Sequence, residues 1–178
     1  MPMKTLFFAL VGLLAAHQTL AKAPASGPKI SADDDDAIRK VIDRMNANYT
    51  DHHFQDMATY TTPDVSWVNI VGMWWRGRAQ VQAAHQAIFD NLFKGVAFTP
   101  GPVVIRAVTP EVAVVNATYH VGAFYPPDGV NRGTNKWGDN QNIVTLVMVK
   151  QQGRWLLTAG QNTQVDAKAK DPTVVSAK

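Results

Sequence analysis

One segment, Asp64 to Phe89, constrains the fold more than any other part of the chain. Its sequence, DVSWVNIVGMWWRGRAQVQAAHQAIF, predicts a short aromatic strand, a glycine turn, a second short strand and then a helix. Side chains alternate across a strand, so Val65, Trp67 and Asn69 are expected to share one face. The helix carries an apolar stripe with His85 in its middle. Two polar groups, Asn69 and His85, therefore fall where a core is expected, and this combination indicates a pocket.

The N-terminus, residues 1–21, has the pattern of an export signal. Lys4 precedes an apolar stretch, Leu6 to Ala16, that is too short to span a bilayer. Cleavage is expected after Ala21, and a second small-residue site ends at Ala25. We therefore predict a bacterial protein that is periplasmic or secreted and has no membrane partner once the signal is removed.

Composition excludes several classes of protein. The chain contains no cysteine, so an exported domain would have to be held by its core without disulfide bonds. A domain of roughly 150 residues can do this, because it buries ~70% of its unfolded surface. The formal net charge is only +3, and the Lys and Arg residues are scattered along the chain. Nucleic acid requires a basic stripe, so no nucleic-acid partner is predicted.

Hydrophobic periodicity divides the rest of the chain into a flexible leader (22–32), one domain (33–166) and a mobile tail (167–178). Three helices and six extended segments are expected in the domain. The first helix is expected to begin at Asp33–Asp36, the second to cover Phe54–Tyr60 and the third to run from Arg78 to Lys94. The longer strands are expected to cover residues 96–107, 112–124, 142–150 and 154–163. Helices followed by an antiparallel meander indicate an α+β fold rather than alternating α/β.

Several short motifs occur in an order that resembles one known family. They are Trp67-Val68-Asn69, Gly72, Arg76-Gly77-Arg78, His85 with Ile88-Phe89, and Gly153-Arg154-Trp155 leading to Gln161-Asn162-Thr163. Over residues 34–166 the chain resembles the SnoaL-like division of the nuclear-transport-factor-two-like superfamily, and within it the SgcJ/EcaC type. The resemblance implies a cone-shaped α+β barrel of cystatin-like topology, in which a curved antiparallel sheet wraps over three N-terminal helices. It also implies a homodimer through the open sheet face, but no single function, because this fold hosts enzymes and non-catalytic modules alike.

The bacterial steroid isomerases of this superfamily pair a carboxylate base with an oxyanion hole made of a tyrosine and a protonated aspartate. By resemblance, Asn69 occupies the position of the base and Thr145 that of the oxyanion aspartate. His85 occupies the position of a tyrosine in the pocket hydrogen-bond network. An amide cannot abstract a proton, and a threonine hydroxyl is a poor acid. The only glutamate, Glu111, follows Pro110 in a predicted turn, so acid–base chemistry by paired carboxylates is not expected.

His85 is the remaining candidate for a general base, because imidazole titrates near neutral pH. The alternative is a structural histidine that donates to Asn69 or to a backbone carbonyl, as is common for a lone histidine on an apolar stripe. His52, His53 and His120 lack metal-ligand spacing, so no metal is predicted. No phosphate loop or dinucleotide fingerprint occurs, so no cofactor is predicted either.

The predicted pocket combines aromatic and polar side chains. Its candidate ligand-binding residues are Trp67, Asn69, Trp75, His85, Tyr119, Thr145 and Asn162, with Gln161 as the alternative to Asn162. Strand parity puts Gln161 and Asn162 on opposite faces, and the isomerase template favours Asn162.

These residues favour an exported protein that binds a small hydrophobic or aromatic molecule. One alternative is an enzyme of the isomerase, cyclase or dehydratase kind that uses His85 as its general base. Another is a non-catalytic dimeric assembly module. The polar lining counts against the module, since an unused cavity should fill with apolar side chains.

Overall fold

A six-stranded sheet packs against two α-helices in the computed structural model, which describes residues 27–169. The helices are α1 (Ala32–Asp51) and α2 (Arg78–Asp90); the strands are β1 (Thr61–Val68), β2 (Trp74–Arg76), β3 (Phe98–Thr109), β4 (Val112–Val121), β5 (Asn140–Gln151) and β6 (Arg154–Gln164). The strand order is β2-β1-β6-β5-β4-β3. This arrangement confirms the predicted α+β class. The predicted signal peptide, residues 22–26 of the predicted leader and residues 170–178 of the predicted tail lie outside the described residues.

Helix α1 begins at Ser31, whose side-chain oxygen accepts a hydrogen bond from the backbone N–H of Asp34 at 3.1 Å. Carboxylates in the first turn complement the helix dipole. Asp34 also ties the helix to the sheet, because its Oδ1 accepts hydrogen bonds from Nζ of Lys150 and Nε1 of Trp155, both at 2.7 Å. The hydrogen bond from Lys150 is the main reason that the pKa of Asp34 falls to about 2. No helix within residues 27–169 is long and apolar enough to cross a bilayer.

The predicted second helix, Phe54–Tyr60, is wrong. Only a 3-10 turn, Met57–Thr59, forms there, so two α-helices occur in the described chain where three were predicted. So short a segment closes too few hydrogen bonds to offset the cost of starting a helix. The backbone carbonyl of Tyr60 instead accepts from the N–H of Leu157 in β6, at 2.8 Å, and this bond leads the chain into the sheet.

The sheet is mixed, whereas a wholly antiparallel sheet was predicted. β1 runs parallel to β6, and the other neighbouring pairs are antiparallel. A parallel pair needs a long crossover connection, which the chain supplies through α2 and the three strands that follow it. Trp67 of β1 lies opposite Gly160 of β6, where a Cβ atom would come within 2.3 Å of the indole ring. The missing side chain of Gly160 is therefore what admits Trp67 to the interior.

The inner face of β5 changes character along its length. Met148, Leu146 and Val144 pack in the core against residues from both helices. Asn142 and Asn140 continue the same face toward the start of the strand, because alternate residues point the same way. The interior is therefore apolar at one end of the sheet and polar at the other.

Candidate functional site

A cavity lies at the polar end of the sheet, between its inner face and helix α2. It encloses about 570 Å³, including open space at its mouth, where Ile70 and Gln164 are exposed. Much of its wall is aromatic: Tyr49, Trp67, Trp75, Phe89, Phe98 and Tyr119. A second group of lining residues consists of side-chain amides, which we call the amide cluster: Asn69, Asn140, Asn142, Asn162 and Gln164. An apolar volume with a few convergent polar groups is typical of a small-molecule site.

The register of the central strands assembles most of the amide cluster. Asn142 of β5 lies between Tyr119 of β4 and Gln164 of β6. Two pairs further along the ladder, and therefore on the same face, Asn162 lies opposite Val144. The start of β5 and the end of β6 are neighbours because the two strands form an antiparallel hairpin. Residues distant from the turn in sequence therefore meet at one end of the sheet.

His85 is held by hydrogen bonds at both ring nitrogens. Its Nδ1 donates to the backbone carbonyl of Val81 at 2.8 Å, since a carbonyl can only accept. Its Nε2 is therefore the acceptor, and it accepts from the hydroxyl of Tyr49 at 2.8 Å. Trp67 and Trp75 each meet the imidazole edge-on, with ring centroids 5.1 Å apart. Burial lowers the pKa of His85 to about 4, so the ring is neutral at physiological pH.

This environment favours the structural role for His85 over the role of general base. A base needs a lone pair that faces the substrate, and the only lone pair of the neutral ring is already occupied by Tyr49. Of the two partners expected for a structural histidine, Asn69 or a backbone carbonyl, the structure shows a carbonyl, that of Val81. His85 contributes to the site by orienting the tyrosine.

Tyr49 is a residue of the cavity that sequence reasoning missed. Its ring lines the cavity, and its hydroxyl donates to His85. Desolvation raises its pKa well above the usual range, so the hydroxyl stays protonated. Its ring packs edge-on against Phe54 and Phe89, with centroids 5.4 Å away in each case. The available signal was the residue type itself, because a buried tyrosine hydroxyl requires a partner.

Asn69 lines the cavity but also builds the turn between β1 and β2. Its Oδ1 accepts hydrogen bonds from the backbone N–H groups of Val71 at 3.1 Å and Met73 at 2.9 Å. Its own backbone N–H donates to the carbonyl of Met73 at 2.9 Å. Only the Nδ2 group of this side chain is left to meet a ligand.

Two predicted pocket residues lie on the opposite face of the sheet. Thr145 is exposed and accepts a hydrogen bond from Asn116 at 2.9 Å, because its neighbours Val144 and Leu146 point inward. Gln161 pairs with Thr145 and is exposed on the same outer face. The prediction that Thr145 lines the pocket is therefore wrong. Of the two alternatives on β6, Asn162 lines the cavity and Gln161 does not.

Asn142 is the second residue that sequence reasoning missed. Its side chain is 1% exposed, and its Nδ2 donates to Oδ1 of Asn140 at 3.0 Å. Its Oδ1 is the one buried side-chain polar atom without a hydrogen-bond partner among the described residues. The sequence does contain a signal for this residue: alternation along the strand places Asn142 on the same face as Val144 and Leu146, so its side chain points into the interior.

The cavity wall carries no formal charge. None of the described residues that line it is an aspartate, glutamate, lysine or arginine, and His85 is neutral. Tyr119 is also held in its neutral form, because burial raises its pKa, although the neighbouring Asn162 amide acts in the opposite direction. Across residues 27–169, no three histidine or carboxylate side chains come together in a way that would hold a metal ion.

Comparison with known proteins supports the family assigned from the motifs. The family model of the SnoaL-like domain matches residues 38–162. The chain belongs to the SnoaL-like family. A crystal structure from Caulobacter vibrioides, of an uncharacterized protein with a cystatin-like fold, is 31% identical to this SnoaL-like chain. It matches 75% of this chain and 90% of that one, with a TM-score of 0.69.

More distant structures share the fold of the SnoaL-like chain. An NTF2-like protein of unknown function from Pseudomonas putida is 13% identical over 79% of this chain and 93% of that one, with a TM-score of 0.62. A domain of unknown function with a cystatin-like fold from Nostoc punctiforme is 20% identical over 78% of this chain and 81% of that one, with a TM-score of 0.63. No curated protein matches the chain. At these identities, the Pseudomonas and Nostoc proteins show the fold alone.

Proposed function

We propose that this SnoaL-like domain binds a small, largely apolar and uncharged molecule in the cavity between α2 and the sheet. The observation that carries the proposal is an open, aromatic-walled cavity with polar groups inside it, among them the unpartnered Oδ1 of Asn142. A buried polar atom without a partner destabilises the protein by about 1–3 kcal/mol. A bound molecule that supplies the partner removes that penalty.

The lack of charge in the wall supports an uncharged ligand. An ion that leaves water for an apolar site needs a counter-ion or several hydrogen bonds, and the described lining residues offer amides, aromatic rings and aliphatic side chains but no charged group. The aromatic residues provide large, rigid surfaces, and Trp67 and Trp75 are held in place by their contacts with His85. Such a wall fits planar ring systems, which stack or meet edge-on with other rings.

Binding without catalysis is the simplest function that this geometry supports. The lone pair of His85 is engaged by Tyr49, and no carboxylate occurs among the described lining residues. A proton-abstracting group is therefore not at hand in the cavity, and the polar groups that remain are suited to orienting a ligand.

A pair of matched variants on β6 tests the proposal. Gln164 lies at the mouth of the cavity, whereas Gln161 of the same strand points to the outer face. Progesterone and 2-naphthol should each raise the Tm of the wild-type protein in a thermal-shift assay, since a ligand stabilises the state that binds it. Calorimetry should then give their Kd values. Gln164→Trp should weaken binding by narrowing the mouth, and Gln161→Trp should not. Absence of binding, or an equal loss in both variants, would contradict the proposal.

We further propose that the protein is exported and that it forms a homodimer through the open sheet face. The apolar stretch after Lys4 supports export, and N-terminal sequencing of the mature protein should give Lys22 as its first residue. Exposed apolar side chains on the strands, Val104 at 65% and Ile143 at 41%, support the dimer. Light scattering should give twice the monomer mass, and Val104→Glu should give the monomer. A monomeric wild-type protein would refute this assembly.

A further inference from the structure

We infer that the ligand carries a hydroxyl or N–H group that donates a hydrogen bond to Oδ1 of Asn142. The inference rests on the proposed function and specifies the chemistry of the bound molecule. It assigns to the cavity a neutral aromatic or polycyclic compound that bears a hydrogen-bond donor at one end.

The side chain of Asn142 is positioned by its neighbours and cannot turn to water. It is 1% exposed, and its Nδ2 is committed to Oδ1 of Asn140 at 3.0 Å. That bond sets the orientation of the amide and leaves Oδ1 as an acceptor with no partner among the described residues. Because Asn142 lines the cavity, a donor that enters the cavity is placed to satisfy this acceptor.

The residues around Asn142 define which end of the ligand reaches it. Tyr119 and Gln164 lie on either side of it in the strand register, so this part of the wall is polar. The aromatic part of the wall begins with Trp67 and Phe89, which line the same cavity. A molecule with one polar end and an apolar ring system matches both parts at once.

Three probes with the same ring system separate the contributions. The compounds 2-naphthol, 2-methoxynaphthalene and 2-naphthoate offer a hydroxyl donor, an acceptor without a donor, and a charge. Calorimetry at pH 7 should give a Kd for 2-naphthol about tenfold lower than that for the methyl ether, which leaves Oδ1 unpaired. The carboxylate should bind weakest, because nothing in the described wall neutralises it.

An Asn142→Leu variant removes the acceptor and retains a side chain of similar size. In this variant 2-naphthol and the ether should bind with about equal Kd values, so the preference for 2-naphthol should disappear while the ether still binds. Asn116→Leu on the outer face is the control, because Asn116 is exposed and lies away from the cavity; it should keep the tenfold preference. The ratio measured on the wild-type protein tests the inference even if the Asn142 variant does not fold.

The possible outcomes separate the inference from the proposed function. Equal affinities of 2-naphthol and its methyl ether for the wild-type protein would overturn the inference and leave the binding function intact. A preference for 2-naphthol that survives in Asn142→Leu would also overturn it, because the donor would then meet another group. Failure of all three probes to bind would count against both the inference and the proposed binding function.

Discussion

Acid should destabilise this fold through His85. The imidazole is 5% exposed, and burial lowers its pKa from the ordinary 6.5 to about 4. As the pH falls below 6.5, the unfolded chain takes up a proton at this residue and the folded protein does not. The unfolded state then binds more protons, so the free energy of unfolding falls with pH. The stability is complete above pH 6.5 and is lost progressively until the folded protein itself is protonated near pH 4.

The size of the effect follows from the two pKa values. Each pH unit between them lowers the free energy of unfolding by roughly 1.4 kcal/mol. Over the whole interval from pH 6.5 to 4, the loss is roughly 3 kcal/mol. Domains of this size have total stabilities of about 5–15 kcal/mol, so the loss is a large share of the whole. Asp34 does not obscure it, because its folded pKa of about 2 places its own titration below this interval.

Urea unfolding monitored by tryptophan fluorescence at pH 7, 6, 5 and 4.3 would measure how steeply the free energy of unfolding falls with pH, which is the slope predicted above. His85→Gln stays neutral at every pH, so its stability should change by roughly 3 kcal/mol less than that of the wild type over the interval. His53→Gln is the matched control, because it removes an exposed imidazole just after α1; the difference from the wild-type profile should be confined to His85→Gln. Parallel pH profiles for the wild type and His85→Gln would show that His85 is not buried in neutral form, and the reasoning would fail.

Two further substitutions test how the interior is built. Gly160→Ala would place a Cβ within 2.3 Å of the indole of Trp67, so overpacking should lower the free energy of unfolding by about 1–3 kcal/mol; an unchanged urea midpoint would refute the close approach. Tyr60→Phe removes the hydroxyl that donates to Oδ1 of Asn48 at 2.7 Å, inside the buried network that Asn48 shares with Asp56. The loss should be about 1–3 kcal/mol by the same measurement, and a variant as stable as wild type would show that water replaces the hydroxyl.

The amphipathic elements of the fold were predictable because periodicity reports burial directly. The buried residues of α1 recur with a helical period, and those of β5 alternate along the strand, so the positions of these two elements follow from the pattern. The prediction of a helix at Phe54–Tyr60 was wrong because the apolar residues of this segment suit a short helix and an irregular turn equally well. The parallel pairing of β1 with β6 was not predicted, for a different reason. The residues around a strand do not indicate which strand, far away in the sequence, will pair with it.

Part of the site was predictable from the same patterns. Trp67, Asn69, Trp75, His85 and Tyr119 were named as candidates from their residue types and positions, and each lines the cavity. Asn162 lines it as well, but parity left Gln161 as its alternative and only the isomerase template favoured it. Thr145 was placed by counting along a distant template, and one position of error moves a strand residue to the other face. Asn142 does not correspond to a functional position of the template, and it was therefore not predicted, although alternation along the strand places it on the same face as Val144.

The two ends of β5 make opposite contributions to stability on the inner face of the sheet. Toward Met148 the inner face of β5 is sealed by core packing, which stabilises the fold. Toward Asn142 the same face keeps a buried acceptor unpaired, although leucine or valine there would bury more apolar surface without that penalty. His85 and Tyr49 satisfy each other between the two regions, so they support the wall without occupying the space beyond it. An interior that completes its hydrogen bonds at His85 and leaves one acceptor open at Asn142 is the arrangement that the proposed binding of a donor-bearing molecule requires.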